Sequence, residues 1–422
     1  MKKYQLMTVA TGRMFDDAGW TLNDAECKTP SLVRTIYSKK QIEFGPDSAG
    51  IYKFEDWLPT SRRLKGSAPT VTYKSEGLAK LLGLSNLYIA FSGWWPEKGA
   101  LMQTCTFKET EAFSVCARLA ADCDRTLVVS SAGNTARAFA RVCSENNIPL
   151  VLTVPYDCRE ALWFKQEINP CVKLICTPAG TDYFDAIALG DKIAAMPGFM
   201  AEGGAKNVAR RDGMSTTVLS AAQAIGRIPD CYFQAIGSGT GTIAAWEANL
   251  RLLEDGRFGT NKMKLFPSQN IPFTPMYDAW KAGSRPLLPM DDEDARVKAL
   301  EIDAKVLSNR RPPYSVAGGV YDALCDAGGD IELATNADIK KCMQMFEETE
   351  GVDIHPAAAV ALQGMINAFD AGKMPRNAVA MLNITGGGEK LCKSSGKVPL
   401  LEPAAVMSAS DPDVEERISK LF

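Results

Sequence analysis

Short apolar runs alternate with amphipathic stretches through the middle of the chain. Residues 126–155, TLVVSSAGNTARAFARVCSENNIPLVLTVP, change period twice. The apolar TLVVS predicts a buried strand, SSAGNT a turn, ARAFARVCSENN a helix, and IPLVLTVP a second strand. VKLICTP (172–178) predicts another strand, followed by a helix in DYFDAIALGDKIAAM. DCYFQAIGSGTGTIAAWEANLRLLEDG (230–256) repeats strand, glycine-rich turn and helix, and KLFPSQ (264–269) predicts the next strand. Strands that alternate with helices make parallel sheets flanked by helices, an α/β fold. Residues 30–70 are rich in Pro and Ser without a period and predict a wrapping loop. Residues 283–313 are broken by prolines and hold one charged helix. There is no internal repeat and no low-complexity tail.

At 422 residues the chain exceeds one ordinary core, so two domains are expected. It is 46% hydrophobic and 23% charged, with a net charge of −3. Without a basic excess, nucleic acid is not expected as a partner. No apolar run reaches the roughly 18 residues of a membrane span. MKKYQLMTVATGRMFDDAGW has no apolar core behind its lysines, so no signal peptide is read there and a cytoplasmic protein is expected. Twelve cysteines show no CxxC spacing, and several lie in apolar segments. They read as reduced thiols used as small hydrophobes. The single histidine, His355 in GVDIHPAAAVAL, rules out a His-rich metal site. Next to Pro356 and an alanine-rich run, it reads as a helix-entry residue.

Four stretches carry chemistry. TCTFKETEAF (104–113) sets Lys108 at the start of an amphipathic helix, where the dipole favours anions over cations. SSAGNT (130–135) and GSGTG (237–241) each join a strand to a helix, where backbone amides can hold an anion. NITGGGEK (383–390) places Thr385 before three glycines. Each alone reads equally well as a structural turn. Together they offer an amine, two anion cradles and a hydroxyl, which are the handles for pyridoxal 5′-phosphate and an amino acid. A dinucleotide fold fits less well, because the loop is GxGxG rather than GxGxxG and no ribose-binding acid follows on a second strand.

Lysine, Asn loop, glycine loop and terminal Thr, in this order, resemble the fold type II pyridoxal-phosphate enzymes of the threonine synthase-like group, over about residues 50–400. The resemblance implies a two-domain, tryptophan synthase β-like α/β fold with the cofactor in the domain cleft. Residues 51–111 and 216–422 would form the large domain, 112–215 the small one, and 1–50 a ribbon-like N-terminal segment. It implies that Lys108 carries the cofactor and acts as base. Asn134 would bond the ring oxygen, with Ser131, Gly133 and Thr135 cradling the substrate carboxylate. Gly237, Ser238, Gly239, Thr240 and Gly241 would bind the cofactor phosphate, and Thr385 would face the ring nitrogen.

YKFEDWLP (52–59), FSGWWPEKGA (91–100), TCTFKETEAF and GVDIHPAAAVA resemble one branch of that group. That branch serves coenzyme M biosynthesis and exchanges the phosphate of O-phospho-L-serine for sulfite. The rivals are threonine synthase, acting on O-phospho-L-homoserine, and a phosphoserine-dependent cysteine synthase. For the substrate anion, GGAKNVARRDGMST (203–216) offers Asn207, Arg210 and Arg211, with Arg159 and Lys165 as further candidates. Trp94 and Trp95 either roof the site or pack in a core. At the N-terminus Thr8 and Thr11 stand where related proteins carry a CxxC, and only Cys27 remains, so no zinc is expected. A homodimer is expected.

Overall fold

The computed structural model describes residues 2–131, 133–394, 396 and 398–421. Two sheets form its frame. The larger has six strands in the order Glu332–Ala334, Lys264–Asn270, Cys231–Ala235, Ala380–Ile384, Leu87–Phe91 and Val71–Lys74. All neighbours are parallel except the last pair. The smaller has five parallel strands in the order Phe199–Ala201, Thr126–Ser130, Leu150–Pro155, Val172–Thr177 and Ala405–Val406. Helices cover both faces, so the central strands are apolar throughout rather than alternating. Leu150–Pro155, Cys231–Ala235 and Ala380–Ile384 are buried at every residue.

The predicted strands and helices between 126 and 269 all form, while the turn SSAGNT includes residue 132, outside the described residues. Thr126–Ser130 leads to helix Asn134–Glu145, and Cys231–Ala235 leads to helix Thr240–Asp255. The latter ends at Gly256, whose φ of 76° closes the helix in the left-handed region. The stretch expected as a loop, 30–70, holds a strand, Val33–Tyr37, and a 3₁₀ segment, Asp47–Trp57. Val33–Tyr37 pairs with Tyr4–Thr8, which pairs in turn with Met14–Phe15, in a small antiparallel sheet. Burial alternates along Val33–Tyr37, as expected of a sheet with one wet face. Beside this sheet Asp24 accepts from Thr8 Oγ1 and from Nε and Nη2 of Arg13. Among the described residues no cluster of His, Cys, Asp and Glu could hold a metal ion, and no helix is long and apolar enough to cross a membrane.

Two segments pack far from their neighbours in sequence. The C-terminal segment does not stay with the large sheet. Ala405–Val406 adds to the edge of Val172–Thr177, and Met407, Val414 and Ile418 share a core with Val128 and Ile175 of the small sheet and Leu189 of the helix Tyr183–Ala194. Ile51, Tyr52 and Leu58 likewise enter the core formed by Leu127, Phe139 and Leu152. Apolar side chains separated by long stretches of sequence close these cores, and no local pattern announces them.

Candidate active site

In a parallel sheet the loops at the carboxyl ends of the strands gather on one side. Ser131, Gly133, the glycine loop and Thr385 all follow such ends. The segment before Lys108 docks there too. Phe107 N donates to Thr385 O at 2.9 Å, and Thr106 bridges Gly386. Arg137, one turn into helix Asn134–Glu145, ties the Asn loop to the same segment. Its Nη2 donates to Thr104 O at 2.6 Å and to Asn134 Oδ1 at 3.4 Å. Val306 spans the two anion loops. Its Cγ1 stands 3.8 Å from a Cβ built on Gly133, and its carbonyl 2.9 Å from one built on Gly237.

Lys108 opens helix Lys108–Arg118 with its side chain 20% exposed. Its Nζ donates to Glu111 Oε2 at 3.1 Å, one turn on. Burial pulls the Lys108 amine below its ordinary pKa and Arg210 adds to that, while Glu111 opposes it. Glu111 is fully buried. Its Oε1 accepts from Thr135 Oγ1 at 3.1 Å and faces Arg210 Nη1 at 3.3 Å. One carboxylate therefore joins Lys108, the Asn-loop helix and Arg210. Arg210 also grips Glu202 through two hydrogen bonds. Burial works against its charge, but Glu111 and Glu202 hold the guanidinium above its ordinary pKa. Neither carboxylate figured among the sequence candidates. An acid three residues after a lysine on one helix was the available signal for Glu111. Glu202 has none, because it is brought in by the strand Phe199–Ala201.

Two sequence candidates for the anion pocket are committed elsewhere. Asn207 is buried, caps helix Val208–Ile225 through Ala209 N at 3.0 Å, and accepts from Arg118 Nη1 at 2.8 Å. Arg211 is fully buried, with Nε on Glu247 Oε2 at 3.1 Å and its other donors on the carbonyls of Ala205 and Val33. Successive helical residues point about 100° apart, so Arg210 and Arg211 cannot share a target. Arg159 lies over Tyr156 at 4.0 Å and Lys165 over Trp94 at 3.7 Å. Trp95 packs edge-on between Phe91 and Tyr73, a core role. His355 caps the start of helix Pro356–Asp370 and meets Glu389 Oε2 at 2.9 Å. Against the effect of burial, His355, Lys393 and Arg137 hold the Glu389 carboxyl down to about 2.

Pyridoxal phosphate fits this set. Helices Asn134–Glu145 and Thr240–Asp255 both begin at glycines, which bring no capping side chain of their own, although in the second Ser238 Oγ accepts from Thr240 N at 3.3 Å. Such bare helix starts suit a carboxylate and a phosphate. The space over Gly133 is open apart from Val306. Ser238 Oγ and Thr240 Oγ1, 2.8 Å apart, add hydroxyls to the second loop, and Thr385 adds one beside Lys108.

Residues 68–386 match the family described as pyridoxal-phosphate dependent enzyme. The fold is that of serine racemase from maize (TM-score 0.58, 15% identity, 77% of this chain and 91% of that one). It is also that of threonine deaminase isoform 2 from Solanum lycopersicum (TM-score 0.57, 16% identity, 78% and 84%). The chain belongs to the pyridoxal-phosphate dependent enzyme family, and pyridoxal phosphate is its cofactor. Cysteate synthase of Methanosarcina mazei is 46% identical over 92% of this chain and 93% of its own length. Cysteate synthase of Methanocella arvoryzae is 46% identical over the full length of both chains.

Proposed function

We propose that this chain is a cysteate synthase, which replaces the phosphate of O-phospho-L-serine with sulfite to give L-cysteate and phosphate. The relatives at 46% identity support that reaction, and the observation that carries the site is the buried amine of Lys108 held by Glu111. Lys108 would hold the cofactor covalently, the glycine loop from Gly237 to Gly241 its phosphate, Asn134 its ring oxygen and Thr385 its ring nitrogen. Bound pyridoxal phosphate supplies an electron sink that makes the substrate Cα proton acidic. Lys108, freed on substrate binding, takes that proton, and burial, by lowering the amine's pKa, keeps more of it unprotonated and able to do so. Ser131, Gly133 and Thr135 orient the substrate carboxylate at the bare helix start. Arg210 stands one carboxylate away from Lys108 and serves the anions that leave and enter at Cβ. The enzyme would work in the cytoplasm as a homodimer.

Purified enzyme incubated with O-phosphoserine, with and without sulfite, should release phosphate and form cysteate only when sulfite is present. Threonine from O-phosphohomoserine, with no cysteate from phosphoserine and sulfite, would reassign the chain to threonine synthase.

A further inference from the structure

Away from the cleft, the N-terminal sheet rests on helices Val208–Ile225 and Thr240–Asp255 through a buried charge cluster. Arg34 Nε lies 3.3 Å from Glu247 Oε1, and Arg211 holds the other oxygen of that carboxylate. Arg251 Nη2 pairs with Asp212 and also donates to Thr35 Oγ1 at 2.7 Å. Thr35 and Tyr37 donate to Asp212 at 2.7 Å each. The cluster therefore sets three guanidinium groups against two carboxylates and leaves one positive charge uncompensated. At its mouth, exposed to solvent, Lys39 pairs with Asp56 and Glu43, and Lys40 with Glu254. Such exposed pairs are screened and contribute little.

A cavity of about 80 Å³ opens into this cluster, lined by Arg34, Tyr37, Lys40, Trp57, Glu247 and Arg251 among others. Arg34 Nη2, Arg251 Nε and Arg251 Nη1 are buried and have no partner among the described residues. Arg251 is only 8% exposed. A buried guanidinium with bare N–H groups is costly, and an uncompensated buried charge more so. A small oxyanion answers both needs, since a forked donor matches its oxygens and its charge restores the balance. We propose that this cavity is a binding site for a small tetrahedral oxyanion, phosphate or sulfate, held between Arg34 and Arg251. It is separate from the cleft, and it does not depend on which reaction the enzyme performs.

The test titrates cofactor-loaded enzyme with phosphate and with sulfate at constant ionic strength, using chloride as the reference. A saturable heat is expected for at least one of them, and the tighter ion identifies the natural class. Arg34→Gln should weaken that binding about tenfold or more, the loss expected for a charge-assisted hydrogen bond. Arg210→Lys, in the cleft, should change only a separate phase of the heat that does not depend on Arg34, and leave the Arg34-dependent phase as it is. A second measurement needs no variant: crystals of unaltered protein soaked in selenate should show a selenate in the cavity with its oxygens within hydrogen-bond reach of Arg34 Nη2 and Arg251 Nη1. Only water at that position, or oxyanion binding indifferent to Arg34→Gln in a folded variant, overturns the proposal.

Discussion

The two flanks of Lys108 are built on different principles. On the cofactor side stand backbone loops: bare helix starts at Gly133 and Gly239, and Thr385 on a strand end. On the other side stand charged side chains that partner one another, Glu111, Arg210 and Glu202. A backbone cradle needs particular glycines at particular turns and leaves a local imprint in sequence. A side-chain network needs only that its members meet, and they come from one helix, a second helix and a strand. The first kind of site is fixed before a ligand arrives. The second sets two carboxylates against one arginine, an excess of one negative charge before the Lys108 amine is counted, so an incoming anion must compete with them.

The sharpest break in this comparison is Lys108→Ala, because both flanks converge on that amine. Turnover should fall by about 10³-fold or more, as expected on removal of a nucleophile and base. The visible absorbance of bound cofactor should vanish with it. A variant that keeps a borohydride-reducible cofactor adduct removes Lys108 from the role.

Arg210→Lys separates the flanks. It keeps a positive charge between Glu111 and Glu202 but loses the planar fork. Turnover of phosphoserine with sulfite should fall about tenfold to a hundredfold, with the cofactor absorbance unchanged. Normal kinetics in this variant would move the anion pocket away from Arg210.

How far the sequence revealed this arrangement follows from the same contrast. SSAGNT and GSGTG could be read as loops because a strand, a turn and a helix lie within about twenty residues of each other. Lys108 stood out as a cation at a helix start. The error on Arg211 has the same origin as the omission of Glu202. Adjacent residues 210 and 211 look alike in sequence, yet the helix turns one toward Glu111 and the other toward Glu247. The C-terminal strand Ala405–Val406 was missed because two residues carry no period, and only the open edge of Val172–Thr177 gives them a place.

Glu111→Gln measures how tightly the flanks are coupled. Glu111 raises the Lys108 amine against burial, so removing its charge must lower that pKa further. The free amine then persists to lower pH. When the cofactor-free variant is mixed with pyridoxal phosphate, the profile of absorbance growth against pH should shift to lower pH. An upward shift, or none, would mean that Glu111 holds Arg210 and leaves the amine untouched.

The smallest effect tests whether the glycine loop is a cradle or only a turn. Gly239 is a poor probe, because its φ is 75° and a Cβ there would come within 2.3 Å of Val320 Cγ2. Any side chain at that position strains backbone and packing, and lost cofactor would follow from lost fold. Ser238 avoids that difficulty. Among the described residues its hydroxyl bonds to Thr240 Oγ1 at 2.8 Å and Thr240 N at 3.3 Å, and it keeps hydrogen-bonding capacity toward the loop. Ser238→Ala should leave thermal unfolding of the cofactor-free protein nearly unchanged. Cofactor affinity, read by absorbance titration, should weaken about fivefold, the worth of one net hydrogen bond. A melting point that falls while affinity holds would make the loop a structural turn, and the phosphate would then need another set of donors.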